Sequence, residues 1–298
     1  MTRLALVLIV VGLMLGLMVL LGGCDNGSNV ATDKIAFARD SGDGYDIWVM
    51  DAGGGDETRL TNNDDFDGQV NWSPDGTQIV FSSDRDGDYD IYVMDADGNN
   101  VVQLTNNAAS DEAPCWSPDG TRIAFASDRV GGLRQIFTMD TNGNNIVQVT
   151  HHADEAIDPT WSPSGLQIAF AGTHAGRLAL YVINANGTGE ALVHSAVSAD
   201  DDKPVWSPDG DHIAFRYTAD GFAGEVYVVE PDGDAPTNLT NNAAEDGPAT
   251  WSPDSSRIAF ASDRDGDMEI YAMDATNGLD VVKLTNNTVT DTYPAWSP

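Results

Sequence analysis

Beyond residue 33 the apolar positions arrive in short runs, each closed by Gly, Pro, Asp or Asn. Around Trp116 the order is Pro114-Cys115-Trp116, the turn Ser117-Pro118-Asp119-Gly120, then Ile123-Ala124-Phe125 and Ile136-Phe137-Thr138-Met139. A second turn at Asn142-Gly143 leads into Val147-Gln148-Val149. This spacing predicts four short strands joined by tight turns. Pro sets φ at the second position of a type I turn, and Gly accepts the positive φ that follows. The interruptions come too often for helix. The second and third strands are apolar on nearly consecutive residues, as in Ile79-Val80-Phe81 and Ile91-Tyr92-Val93-Met94. A strand with one wet face would alternate, so these are covered on both faces by neighbouring sheets. The small residue in Ile-Ala-Phe at 123–125, 168–170, 213–215 and 258–260 fits close stacking of sheets.

The unit repeats. Trp72, Trp116, Trp161, Trp206, Trp251 and Trp296 lie 44 or 45 residues apart, a period that marks repetition of one supersecondary unit. Second strands end at Phe37, Phe81, Phe125, Phe170, Phe215 and Phe260, and Trp precedes Phe by nine residues in the five units that hold both. No tryptophan strand precedes Phe37, whereas Tyr293-Pro294-Ala295-Trp296 is a spare one. The fold expected is therefore all-β, a six-bladed β-propeller whose C-terminal strand closes blade one and removes the open edge. The rival is a longer propeller cut short at Pro298.

Trp-Ser-Pro-Asp-Gly, Ile-Ala-Phe, Ser-Asp-Arg-Asp-Gly, Ile-Tyr-Val-Met-Asp and Leu-Thr-Asn-Asn, in that order, resemble the TolB-type propeller repeat over about residues 34–298. Members of that family also carry an α/β domain before the propeller, and its peptidase relatives add an α/β-hydrolase domain; neither has a counterpart in this sequence. The resemblance implies a fold and transfers no catalytic residue.

Residues 1–23 read as an export signal: Arg3, an uncharged run from Leu4 to Leu21, then Gly22-Gly23 before Cys24. Leu21-Gly22-Gly23-Cys24 resembles a bacterial lipobox, which implies lipidation of Cys24. An uncleaved membrane anchor is the alternative, since eighteen apolar residues can just span a bilayer. Either way the propeller (34–298) lies outside the cytoplasm on a tether at 24–33, as a membrane-anchored protein of the periplasm or the outer surface of the cell membrane. Cys115, with Cys24 modified, has no disulfide partner and reads as a packed thiol.

Forty-seven acidic against fourteen basic residues give a net charge of −33. Nucleic acid and anionic lipid are poor partners for such a surface, so membrane contact should run through the anchor alone. A monomer is expected.

Three constellations are candidates for function. One Asp stands five residues before each Trp except Trp161: Asp67, Asp111, Asp201, Asp246 and Asp291, with Ala156 breaking the set. They begin the inner strands and are expected to edge one mouth of the channel, where a basic or amine-bearing envelope protein would dock with salt-sensitive affinity. The hairpin acids Asp84, Asp86, Asp88 and Asp90 are matched by Asp263, Asp265, Asp267 and Glu269, and more weakly by Asp40, Asp43 and Asp46. Carboxylates so spaced could ligate calcium, although the order departs from an EF-hand; the alternative is a solvated turn in which Arg85 and Arg264 pair the hairpin acids. Third, His151 and His152 replace the Asn-Asn of other units, with His174 in the next hairpin. A metal or general-base site there would support a carbohydrate-binding or lyase-like protein. No Gly-x-Ser-x-Gly elbow, phosphate loop or Cys-x-x-Cys pair occurs. The reading favoured is a non-catalytic protein-binding scaffold of the cell envelope, with the carbohydrate-active protein as its competitor.

Overall fold

The computed structural model describes residues 33–298. The signal segment and Cys24 fall outside the described residues. From Lys34 onward the chain forms twenty-four strands in six antiparallel sheets of four, each sheet one blade. Blade one is assembled from both ends of this region, in the order β24 (Asp291–Trp296), β1 (Lys34–Asp40), β2 (Tyr45–Asp51) and β3 (Thr58–Arg59). Ile35 lies opposite Trp296 and Arg39 opposite Asp291, so the terminal strand closes the ring as its tryptophan spacing predicts. The other inner strands are β4 (Asp67–Trp72), β8 (Asp111–Trp116), β12 (Ala156–Trp161), β16 (Ala199–Trp206) and β20 (Asp246–Trp251).

Stacking of the blades supplies the core. Phe37, Phe81, Phe125, Phe170, Phe215 and Phe260 are the largest fully buried side chains, one to a blade. Each such burial contributes roughly 1.5–3 kcal/mol. The alanine between Ile and Phe lets the next sheet approach: Ala124 packs in one cluster with Trp161, Ile168 and Phe170 of the following blade. In two blades the tryptophan also donates across the seam, Trp72 Nε1 to the Ala295 carbonyl and Trp251 Nε1 to that of Val205, both at 3.1 Å. Gly143 serves this stacking as well as its turn. Its φ is 80°, and a Cβ there would lie 2.3 Å from the Leu104 carbonyl oxygen of the preceding blade.

The fourth strand is only two residues long in five blades and leaves Val102, Val147 and Val282 exposed. Short outer strands limit edge-to-edge pairing with other chains. From each, the chain crosses to the next inner strand on the face that also holds the turns between second and third strands. This hairpin face carries the candidate residues.

Candidate functional site

The aspartates five residues before tryptophan belong to the interior. Asp67, Asp111, Asp201, Asp246 and Asp291 are 0–1% exposed and so do not edge the channel mouth. Four of these carboxylates are held from two sides, whereas Asp201 Oδ1 is buried without a partner. Asn63, Asn107, Asn242 and Asn287 donate from four residues upstream, at 2.6, 2.9, 2.5 and 2.8 Å. Arg85, Arg129 and Arg264 reach Asp67, Asp111 and Asp246 at 2.7, 2.8 and 3.0 Å, while Arg39 grips Asp291 through two bonds of 2.6 and 2.8 Å. Each guanidinium also lies over aromatic rings of its blade, Arg85 at 4.6 Å from the Tyr92 centroid and Arg264 at 4.8 Å from that of Tyr271. Asn, Asp and Arg form one clasp, which ties the Leu-Thr-Asn-Asn motif to the Ser-Asp-Arg-Asp-Gly motif around an inner-strand acid. Burial resists the charge on Arg39, but its bonds to Asp291 and Glu57 hold its pKa above the ordinary value. In blade five His194 Nδ1 takes the place of arginine, 2.9 Å from Asp201, whose pKa burial raises against that bond.

The clasp also accounts for the histidines. Blade four has Ala156 where the acid should be, His152 where the asparagine should be, and His174 where the arginine should be. All three partners changed together. His152 places Nδ1 3.0 Å from Glu190 and Nε2 2.8 Å from the Thr173 carbonyl, and its ring meets Phe170 and Tyr181 edge-on. His174 Nδ1 lies 2.9 Å from the Tyr181 hydroxyl, and His151 is exposed. With both ring nitrogens of His152 engaged and His151 exposed, only His152 and His174 fill the vacated clasp.

The hairpin acids divide by blade. In blade two, ligand atoms of Asp86, Asp88 and Asp90 lie within 4.8 Å of one another, the sole such group of acids, histidines or cysteines among the described residues. Strand pairing starts only at Asp90, and Gly87 turns the chain at φ 115°, so the alternation that would separate these side chains does not apply. Asp84 is occupied elsewhere, accepting the Phe66 amide at 2.7 Å. Arg85 and Arg264 pair with the inner-strand acids and not with the hairpin ones. Asp90 is buried, accepting Thr105 Oγ1 at 2.8 Å and Gln103 Nε2 at 3.0 Å; burial pushes its pKa up to about 6. Asp88 Oδ2 is buried without a hydrogen-bond partner.

In blade six Lys283 occupies the position of Gln103. Its Nζ lies 2.7 Å from Asp265 and 3.3 Å from Glu269. Asp263 accepts the Glu245 amide at 2.9 Å, and Asp267 Oδ2 is buried without a partner. Arg59 plays the lysine's part in blade one, pairing with Asp46. Blades one and six thus carry an internal cation at the hairpin acids, and blade two offers only a neutral amide.

A further set was not singled out from the sequence. The residues three before each tryptophan, Gln69, Ala113, Asp158, Lys203, Pro248 and Tyr293, all line the central channel. Inner-strand pairing slips at this point, between Gly68 and Asn71 in blade two and between Asp202 and Val205 in blade five. The bulge gives Gln69, Ala113, Asp158, Lys203 and Tyr293 a positive φ of about 52° and re-aims their side chains. Lys203 Nζ bonds Asp158 Oδ1 at 2.7 Å and lies 5.7 Å from the Tyr293 ring centroid. Burial works against the charge on Lys203, yet Asp158 beside it raises its pKa. A signal was available: six equivalent positions carry six different residues in a chain whose other features recur.

No curated protein matches the chain at the level of sequence. Among solved structures, TolB from Acinetobacter baumannii superposes with a TM-score of 0.77 at 20% identity, covering 89% of this chain and 67% of that one. Kuenenia stuttgartiensis hydrazine synthase gives 0.76 at 16% identity, over 89% of this chain and 46% of that one. An oligogalacturonate lyase in complex with manganese gives 0.53 at 17% identity, over 85% and 73%. At these identities the likeness concerns the fold. The model of the Tricorn protease N-terminal beta propeller domain matches residues 27–132. That of the TolB beta propeller domain matches residues 85–203 and 197–298, more than half of the chain, and the protein belongs to the TolB beta propeller domain family.

Proposed function

We propose that this propeller is a non-catalytic docking module of the cell envelope, held outside the cytoplasm by lipid on Cys24, whose hairpin face binds a basic protein partner. The observation that carries the reading is the charge left on that face. Its arginines are bound internally: Arg85, Arg129, Arg134, Arg177, Arg216 and Arg264 each pair with carboxylates. Asp43, Asp64, Asp86, Asp154 and Asp263 remain exposed there. The docking rim is accordingly the loop acids, in place of the buried inner-strand set. Such a rim steers a basic partner and makes association sensitive to salt. Phe222, 77% exposed in the hairpin between Ala219 and Gly224, supplies an aromatic anchor beside it. Family membership and the export-type segment before Cys24 support the location.

Crosslinking the protein in its own membrane and identifying what it carries tests this reading. One stoichiometric protein partner is expected, weakened by salt and by Phe222→Ala, with Cys24→Ala releasing the propeller from the membrane fraction. Recovery of glycans without protein would favour the second reading, a lyase-like propeller, which draws on the likeness to the oligogalacturonate lyase and would require His152 to leave its present partners.

Calcium belongs to the same proposal. Asp86, Asp88 and Asp90 supply hard oxygens at a place where the equivalent blade holds an ammonium, and turning the Gln103 amide would add a carbonyl oxygen. Calorimetric titration with Ca²⁺ should give one site per chain, lost in Asp88→Asn. Lys283→Gln, which removes the internal cation of blade six, should add a second. No heat at millimolar Ca²⁺ in either protein would end the idea.

A further inference from the structure

The channel ring departs from the rule that governs the rest of the chain. Tryptophan, the Ser-Pro turn, Ile-Ala-Phe and the clasp recur because each blade must stack on the next. At the bulge the backbone recurs, with φ near 52° in five blades, while the side chains do not. Positive φ is unfavourable for Gln, Ala, Asp, Lys and Tyr alike, and such conformations persist only where the surrounding structure imposes them. The fold therefore fixes the bulge, and the chemistry at its tip is free to serve the channel.

Two of the six tips are charged and adjacent. Asp158 is only 8% exposed and Lys203 is largely buried. A buried ion pair gives up hydration that its mutual attraction does not reliably return, and apolar residues of similar volume often serve a fold better. Ala113 and Pro248 occupy the equivalent places in their blades, so the propeller does not require charge here. The pair also has unused capacity. Asp158 Oδ2 accepts no hydrogen bond, and Lys203, with three donors, gives one to Asp158.

The cavity beside the pair has a volume of about 130 Å³. It is walled by Pro114, Pro159, Pro204 and Pro294, with Asn71 and Thr250 among its polar groups. That is below the roughly 300–1,000 Å³ of pockets for drug-sized ligands, so its occupant is a small molecule. A simple cation would meet Lys203. A simple anion would meet Asp158 and a protein of net charge −33. A molecule bearing both charges side by side meets neither objection, and its zero net charge is indifferent to the field of the surface.

We infer that the central channel binds a small zwitterion of the α-amino-acid class, its carboxylate on Lys203 and its ammonium on Asp158. The two ion pairs lie head to tail, and Tyr293 closes the side of the site next to Lys203. This site is separate from the docking face and does not depend on a protein partner.

The test is a thermal-unfolding screen of the purified full chain against the free amino acids at millimolar concentration, followed by calorimetry of any that bind. One or more should raise the midpoint, because a ligand specific to the folded state stabilises it. The N-acetylated and the amidated forms of the same amino acid, each lacking one charge, should not. Affinity should change little with salt, in contrast to partner docking. Asp158→Asn and Lys203→Met should each weaken binding by about tenfold or more, the worth of a charged hydrogen bond. No response to any free amino acid would overturn the inference. So would equal binding of the blocked forms, undiminished binding in both variants, or a response to glucose and galactose alone. The blocked forms decide in the wild-type protein whether or not the variants fold.

Discussion

Ending the chain at Thr290 is expected to destroy cooperative folding. The truncation removes β24, and with it the partner that covers Ile35, Ala36, Phe37 and Ala38, all fully buried in the intact ring. Arg39 would lose both bonds to Asp291, and Trp72 would lose the Ala295 carbonyl. Arg39 would keep only Glu57, and the loss of a charge-assisted hydrogen bond costs about 1.5–3 kcal/mol. An opened strand edge and a lost tryptophan strand add to that, and domains of ordinary stability hold only about 5–15 kcal/mol in all. Expression of residues 25–290 should give aggregated protein or a broad urea transition. A sharp transition with the midpoint of residues 25–298 would show that closure by the terminal strand is dispensable.

The second large effect is expected at the clasp. Asp111→Ala leaves the Arg129 guanidinium between Phe125 and Phe137, at 4.9 and 5.2 Å from their ring centroids, with its carboxylate gone. Arg129 is partly exposed and keeps Ser127, so the loss lies at or below the low end, about 3 kcal/mol, for a stranded buried charge. Arg129→Ala should cost a similar amount, because Asp111 would keep only Asn107 in a site without solvent. Asp111→Ala combined with Arg129→Leu should cost clearly less than the two single losses added together, since neither charge is then stranded. Urea midpoints at constant slope measure all three. Additive losses would mean that the pair is not the unit described. Blade four is the built-in comparison: with Ala156, His152 and His174 in the three places, it holds none of the clasp's members.

The same clasp explains why part of the site was hidden in the sequence. An aspartate at the start of an inner strand looks like a rim residue when only its place along the strand is known. Its Asn partner comes from the preceding connection, and its Arg partner lies eighteen residues on. Neither distance follows from strand periodicity. The histidines looked like a cluster because three unusual residues fell close together in sequence; His152 and His174 occupy the replaced clasp, and His151 is exposed. The hairpin acids can be placed along the chain, but the turn at Gly87 and the Lys283–Gln103 difference that separates blade six from blade two appear only in three dimensions.

What the sequence by itself determined is the architecture: the strand order, the count of six blades and the closure of blade one by Tyr293-Pro294-Ala295-Trp296. Those features rest on local turn chemistry and on apolar runs, which repeat every 44 or 45 residues and can be read one residue after another. Only the tertiary structure decided which acids are buried and which face solvent, and which six side chains meet in the channel. Ion pairing and burial depend on approach in space between residues from different strands and different blades, and Asp158 and Lys203, forty-five positions apart in the chain, become partners only because the ring brings their blades together.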